Sequence, residues 1–126
     1  MSSSSAIKAH RKAVTADLQT MASTLVEVLG RPVTAYIVHV RNVKTVSRWA
    51  TGEVNQVRDR YSEERLVAAY QMVSLLLEED VPPSVIRQLT MGMNPALNDE
   101  SPAQAIREGN YRGAMSAARN YVAGAY

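Results

Sequence analysis

The sequence predicts an all-α fold of about seven helices. Three observations lead there. Apolar residues recur at spacings of three and four through most of the chain. The runs are separated by Ser, Asn, Gly and Pro in the order that helix starts and stops require. Nowhere do apolar and polar residues alternate with turn residues at both ends, so no strand is expected.

Ser2 to Ser5 reads as a tail. From about Lys8 the pattern is helical: Val14, Leu18, Met21, Leu25 and Val28 fall at spacings of four and three and share one face. Gly30 and Pro32 close this helix. A short helix is expected over about residues 33–40, and a second over 43–51, ended by Gly52. Residues 53–61, EVNQVRDRY, read as a polar connector or as part of a helix start. Ser62 is the expected N-cap of the longest helix, with Glu63 and Glu64 in its positive first turn. Leu66, Tyr70, Val73 and Leu77 mark its buried face, and it ends near Glu79. VPPS breaks the chain, because proline cannot continue a helix. Val85, Ile86 and Leu89 mark the next helix, to about Met91. GMNPALNDE reads as a loop or one tight turn. Ser101, Pro102 and Gln104 then form a helix start, with Ser as cap and Pro in the first turn. Gly109 stops that helix. Asn110 caps a last one, from residue 111 to about 122, and AGAY frays beyond it.

A chain of 126 residues is most simply one domain with room for a small second lobe. No apolar run approaches the roughly eighteen residues of a membrane span. The first residues contain no apolar core of a secretory signal. There is no Cys, which excludes disulfides and thiolate zinc sites and fits a cytoplasmic protein. Net charge is +2 but unevenly placed: residues 1–60 carry +5 and residues 61–126 carry −3. This suggests a division into a basic region over 1–60, suited to a polyanion, and an acidic region over 61–126, suited to another partner.

The stretch VTAYIVHVRNVKTVSRWATGE concentrates the functional signal. A helix-turn-helix needs a small residue where its second helix crosses its first, an apolar residue at the turn, and two apolar residues three apart on the inner face of the second helix. Ala35 is the small residue, Val40 the turn anchor, and Val46 with Trp49, the only Trp, the inner pair. Asn42 caps the second helix. Arg41, Asn42, Lys44, Thr45, Ser47, Arg48 and Thr51 remain for the outside, and these residue types bind phosphates and base edges. A polar outer face alone would be an ordinary solvated surface. The combination of small residue, turn, cap, inner pair and local basic charge points to double-stranded DNA. One short recognition helix buries little surface, so a homodimer reading two half-sites is expected. The long-helix face of Leu66, Tyr70, Val73 and Leu77 is one candidate for that contact, and packing within the chain is the other.

VRNVKTVSRWATGE resembles the helix-turn-helix of Xre-type regulators, and GMNPALNDESPAQAIREGNYRGAMSAA resembles the toxin-binding domain of Xre/MbcA/ParS-type antitoxins. The matching positions are Asn94, Pro95, Leu97, Ser101, Pro102, Ala105, Ile106, Glu108 and Gly109. The resemblance spans roughly residues 15–122. His39 departs from it, standing where such regulators often carry Gly, in a turn one residue longer. The resemblance implies an antitoxin of a type II toxin-antitoxin system. Such a protein neutralises a Res-type, NAD-consuming toxin and represses its own operon. The alternative is a stand-alone or phage-type repressor whose C-terminal half only dimerises.

Other chemistry finds little footing. His10 and His39 are the only histidines and form no ligand cluster, so no metal, cofactor or catalytic residue is expected. Glu78, Glu79 and Asp80 are consecutive and point to different sides, as a helix-end charge run does. Met91 and Met93 are expected to fill core rather than form a sticky surface. Tyr111, Tyr121 and Tyr126 gather with Arg112 and Arg119 near the C-terminus. Tyr and Arg are frequent interface anchors, so Arg112, Arg119, Tyr121 and Tyr126 are the candidate toxin-binding residues. Equally, Tyr111 or Tyr121 could seal the domain. Ala114, Ala117 and Ala118 would let the last helix pack closely on the body.

Overall fold

The computed structural model of the protein describes residues 16–124. Their elements are α1 (Leu18–Leu29), α2 (Arg31–Val38), α3 (Val43–Thr51), α4 (Arg60–Glu78), α5 (Pro83–Met91), a 3₁₀ turn (Pro95–Leu97), α6 (Pro102–Arg107) and α7 (Tyr111–Ala123). Among the described residues there is no strand, so the fold is all-α with seven helices, as the spacing predicts. No helix among them is long and apolar enough to cross a membrane.

Capping chemistry sets most of the boundaries. The Asn42, Ser101 and Asn110 side chains accept from Lys44 N, Gln104 N and Gly113 N, each satisfying a backbone donor that the helix leaves unpaired. Two starts differ from the sequence reading. Asp17 is extended, and its carboxylate accepts from Thr20 N at 2.8 Å, so α1 begins at Leu18 and no unbroken helix runs on from Lys8. Val14 lies outside the described residues. Asp59, not Ser62, caps α4: its carboxylate accepts from Tyr61 N and from the Ser62 hydroxyl at 3.1 Å. Ser62 is therefore buried in the first turn as a donor to the cap.

Gly30 alone joins α1 to α2. Its φ of 89° and ψ of 158° lie in a region essentially reserved for glycine, and its carbonyl accepts from the buried Thr34 hydroxyl at 2.8 Å. Pro32 follows in the first turn of α2, where its fixed φ and missing N–H are tolerated. Gly-x-Pro thus opens α2 two residues earlier than the sequence reading as well as closing α1.

The core forms around α4. α1, α2, α5, α6 and α7 all pack on it. Leu66, Tyr70 and Val73 are buried as the spacing predicts, and Leu77 is half-buried. Ala68, Ala69, Met72, Leu75 and Leu76 are buried too, because neighbours cover more than one side. The Leu66, Tyr70 and Val73 face thus packs within the chain and leaves little for a dimer contact. Each large apolar side chain removed from water contributes about 1.5–3 kcal/mol. One continuous core runs from Met21 and Leu25 of α1 through Val46 and Trp49 of α3 to Ala114 and Ala118 of α7. Among the described residues, those before and after residue 60 share this core.

The methionine expectation is corrected. Met91 and Met93 are 46% and 82% exposed. α5 turns Ile86 and Thr90 inward, one turn apart, which carries Met91 outward, and Met93 follows beyond the end of the helix.

Candidate nucleic-acid interface

α3 is the most sharply two-sided helix of the fold. At about 100° per residue, Lys44, Arg48 and Thr51 fall at the centre of one side and Val46 and Trp49 on the other. The burial follows this division. Val46 is inaccessible and Trp49 is 2% exposed, whereas Lys44, Arg48 and Thr51 are exposed. α1 packs along the inner side of α3, and the Ser23 hydroxyl donates to Ala50 O at 2.8 Å across that contact. Gly52, at φ 80°, ends α3 in the left-handed region, where a β-carbon would also meet the Gln19 side chain at 2.9 Å.

The turn before α3 has the parts a helix-turn-helix needs. Ala35 is buried where α2 and α3 meet. His39 takes φ 64° and ψ 45°, the left-handed conformation that Gly adopts more cheaply. Val40 is half-buried, and its N–H donates to Ala35 O at 3.1 Å. Asn42 then starts α3, its side-chain oxygen 2.9 Å from Lys44 N. Arg41 is exposed beside it.

The other two expected contact residues sit on the margins of the face. Ser47 is half-buried; its hydroxyl accepts from Arg31 Nη1 at 3.4 Å and donates to Val43 O at 3.5 Å. Arg31, which the sequence reading did not single out, is thereby brought to this margin. Thr45 is half-buried on the opposite margin and lines a groove of about 360 Å³. Arg48, Val40 and Trp49 line it from the helix-turn-helix side, and Val54, Gln56, Val57, Arg58 and Asp59 from the connector. The connector thus lies along α3 and brings Arg58, with Asp59 beside it, to the groove. Sequence spacing offered no sign of this, because irregular segments carry no period.

Of the residues expected to bind a toxin, Arg112 and Arg119 are exposed and lie two turns apart on α7, with the exposed Ser116 between them. Ala114, Ala117 and Ala118 are buried beneath, as expected for close packing. Tyr121 and Tyr111 are half-buried and pack against the core. Burial pushes the Tyr111 hydroxyl above its ordinary range. Tyr126 and His10 lie outside the described residues.

A long-range polar contact links α6 to α2. Arg107, at the end of α6, donates from Nη1 to Tyr36 O at 2.7 Å, and its guanidinium lies 4.6 Å from the centre of the Tyr36 ring. The Arg107 carbonyl in turn accepts from Arg65 Nε of α4 at 2.7 Å.

Compared with protein-family models, curated proteins and solved structures, the chain matches none of them.

Proposed function

We propose that this protein binds double-stranded DNA through α3 and acts as an antitoxin: its C-terminal half neutralises a Res-type toxin in the cytoplasm, and DNA binding represses its own operon. The observation that supports the DNA reading is the division of α3. Lys44, Arg48 and Thr51 are exposed along one stripe, while Val46 and Trp49 anchor the opposite side to α1. Arg31, Arg41 and Arg58 surround that stripe, so phosphates on both sides of a groove would meet positive charge. The toxin reading rests on the resemblance of residues 92–118 to antitoxins and on the exposed Arg112 and Arg119 of α7.

A second reading, a stand-alone repressor, draws on one observation. Tyr111 and Tyr121 pack on the core, which leaves fewer anchors on α7 for a partner. Two experiments test these readings. Lys44→Ala and Arg48→Ala should each weaken binding to duplex DNA in an anisotropy titration at two salt concentrations, Arg48→Ala by about 1–3 kcal/mol where Arg48 meets a base. Unchanged affinity in both variants refutes the role of α3. Co-expression with a Res-type toxin should restore growth, and Arg112→Glu with Arg119→Glu should abolish the rescue. No rescue by the wild-type chain favours the stand-alone repressor.

A further inference from the structure

The outward centre of α3 holds one arginine, Arg48, and a carboxylate stands beside it. Gly52 reverses the chain, and Val54 N donates to Arg48 O at 3.2 Å, which folds the connector back over the last turn of α3. This brings Glu53 Oε2 to 3.5 Å from Arg48 Nε. Both side chains are more than half exposed. An exposed ion pair of this kind contributes little to folding. On a surface that meets phosphates, a carboxylate also opposes binding. Neither stability nor raw affinity explains Glu53.

The geometry of the guanidinium does. Arginine offers donors along its Nε edge and at its Nη1/Nη2 end. Glu53 Oε2 lies on the Nε side of the guanidinium, which leaves the forked end for another acceptor. That fork matches the O6 and N7 atoms of guanine in the major groove. It matches a phosphate equally well, but a phosphate approaching Arg48 must also approach the Glu53 carboxylate. We infer that Glu53 is a positioning residue that directs Arg48 to a guanine and away from the backbone, so that α3 reads a G·C pair. This rests on the DNA reading above and goes beyond it by naming the base and the residue that enforces the choice.

The test is selection from a pool of random-sequence duplexes by the full chain and by Arg48→Ala, Glu53→Gln and Glu53→Asp, with each duplex affinity measured at two salt concentrations. The wild-type chain should enrich guanine at one position, and Arg48→Ala should lose that enrichment. Glu53→Gln should reduce the preference about tenfold. It should also bind random duplex more tightly, with the log–log salt slope steeper by about one, because Arg48 then engages a phosphate. Glu53→Asp should restore part of the preference. Unchanged melting temperatures exclude unfolding as the cause. Glu53→Gln with the wild-type preference and salt slope overturns the inference while leaving the DNA reading intact. A wild-type chain that binds no duplex removes both.

Discussion

Arg107→Ala measures what the polar link between α6 and α2 contributes to stability. The substitution removes the 2.7 Å donation from Nη1 to Tyr36 O and the guanidinium from above the Tyr36 ring. A hydrogen bond from a charged donor is worth about 1.5–3 kcal/mol. The ring contact adds about 0.5–1 kcal/mol, since Tyr36 is partly solvated. Tyr36 O belongs to the last turn of α2, where a cation is favoured by the helix dipole. It also accepts from His39 N at 3.3 Å, so removing Arg107 does not orphan it. The expected loss is therefore near the lower end, about 2 kcal/mol, less a few tenths from the better helix propensity of Ala. For a domain of this size that is a fall of roughly 6–10 °C in melting temperature, followed by circular dichroism. Arg107→Lys keeps the charge but not the fork and should recover less than half. Combining Arg107→Ala with Tyr36→Ala should show a coupling of about 0.5–1 kcal/mol, the share of the ring. An Arg107→Ala variant that melts within about 1 °C of the wild type refutes the assigned energy.

Trp49→Ala should lose about 3–5 kcal/mol through the cavity left between α1 and α3, read by urea unfolding with circular dichroism because the only Trp is gone. Wild-type stability with lost DNA binding would show instead that Trp49 itself contacts DNA. Gly52→Ala should cost about 1–2 kcal/mol from the left-handed backbone, since the Gln19 side chain it meets can move aside; a stability gain would refute the strain. Backbone hydrogen bonding from Thr20 holds the Asp17 carboxyl below its ordinary range. A depressed value gives stability that is present above the unfolded pKa and lost as pH falls through the folded one. The wild-type melting temperature should therefore drop as pH falls below about 4, and Asp17→Asn, which caps without titrating, should flatten part of that drop. Identical pH profiles would remove the cap from the account.

Sequence spacing made most of this fold legible because the signals are local. Asn42, Ser101 and Asn110 each cap through a residue two or three positions away, so composition alone locates them. Trp49 and Val46 could be placed inward from their spacing. Ser62 misled because two capping residues lie three apart, and only the folded chain shows that Asp59 accepts while Ser62 donates. Met91 misled because an apolar residue at a helix end satisfies the inward pattern and the exposed one equally well. Arg107 and Tyr36 are 71 residues apart, and nothing in a single sequence pairs them. Gln56 and Arg58 reach α3 through an irregular connector, whose path is set by packing and not by a repeat.

The placement of α4 bears on how such a chain can change over time. A helix touched by five others cannot be inherited separately from them. A crossover in the gene near codon 60 would part α1 and α2 from the surface that covers Leu25, Leu29 and Ile37, and both products would expose core. Recombination is thus a poor route to a new α3 surface in this architecture. Point substitution at Lys44, Thr45, Arg48 and Glu53 is the open one, because those side chains face solvent or a groove and the core beneath them can stay as it is.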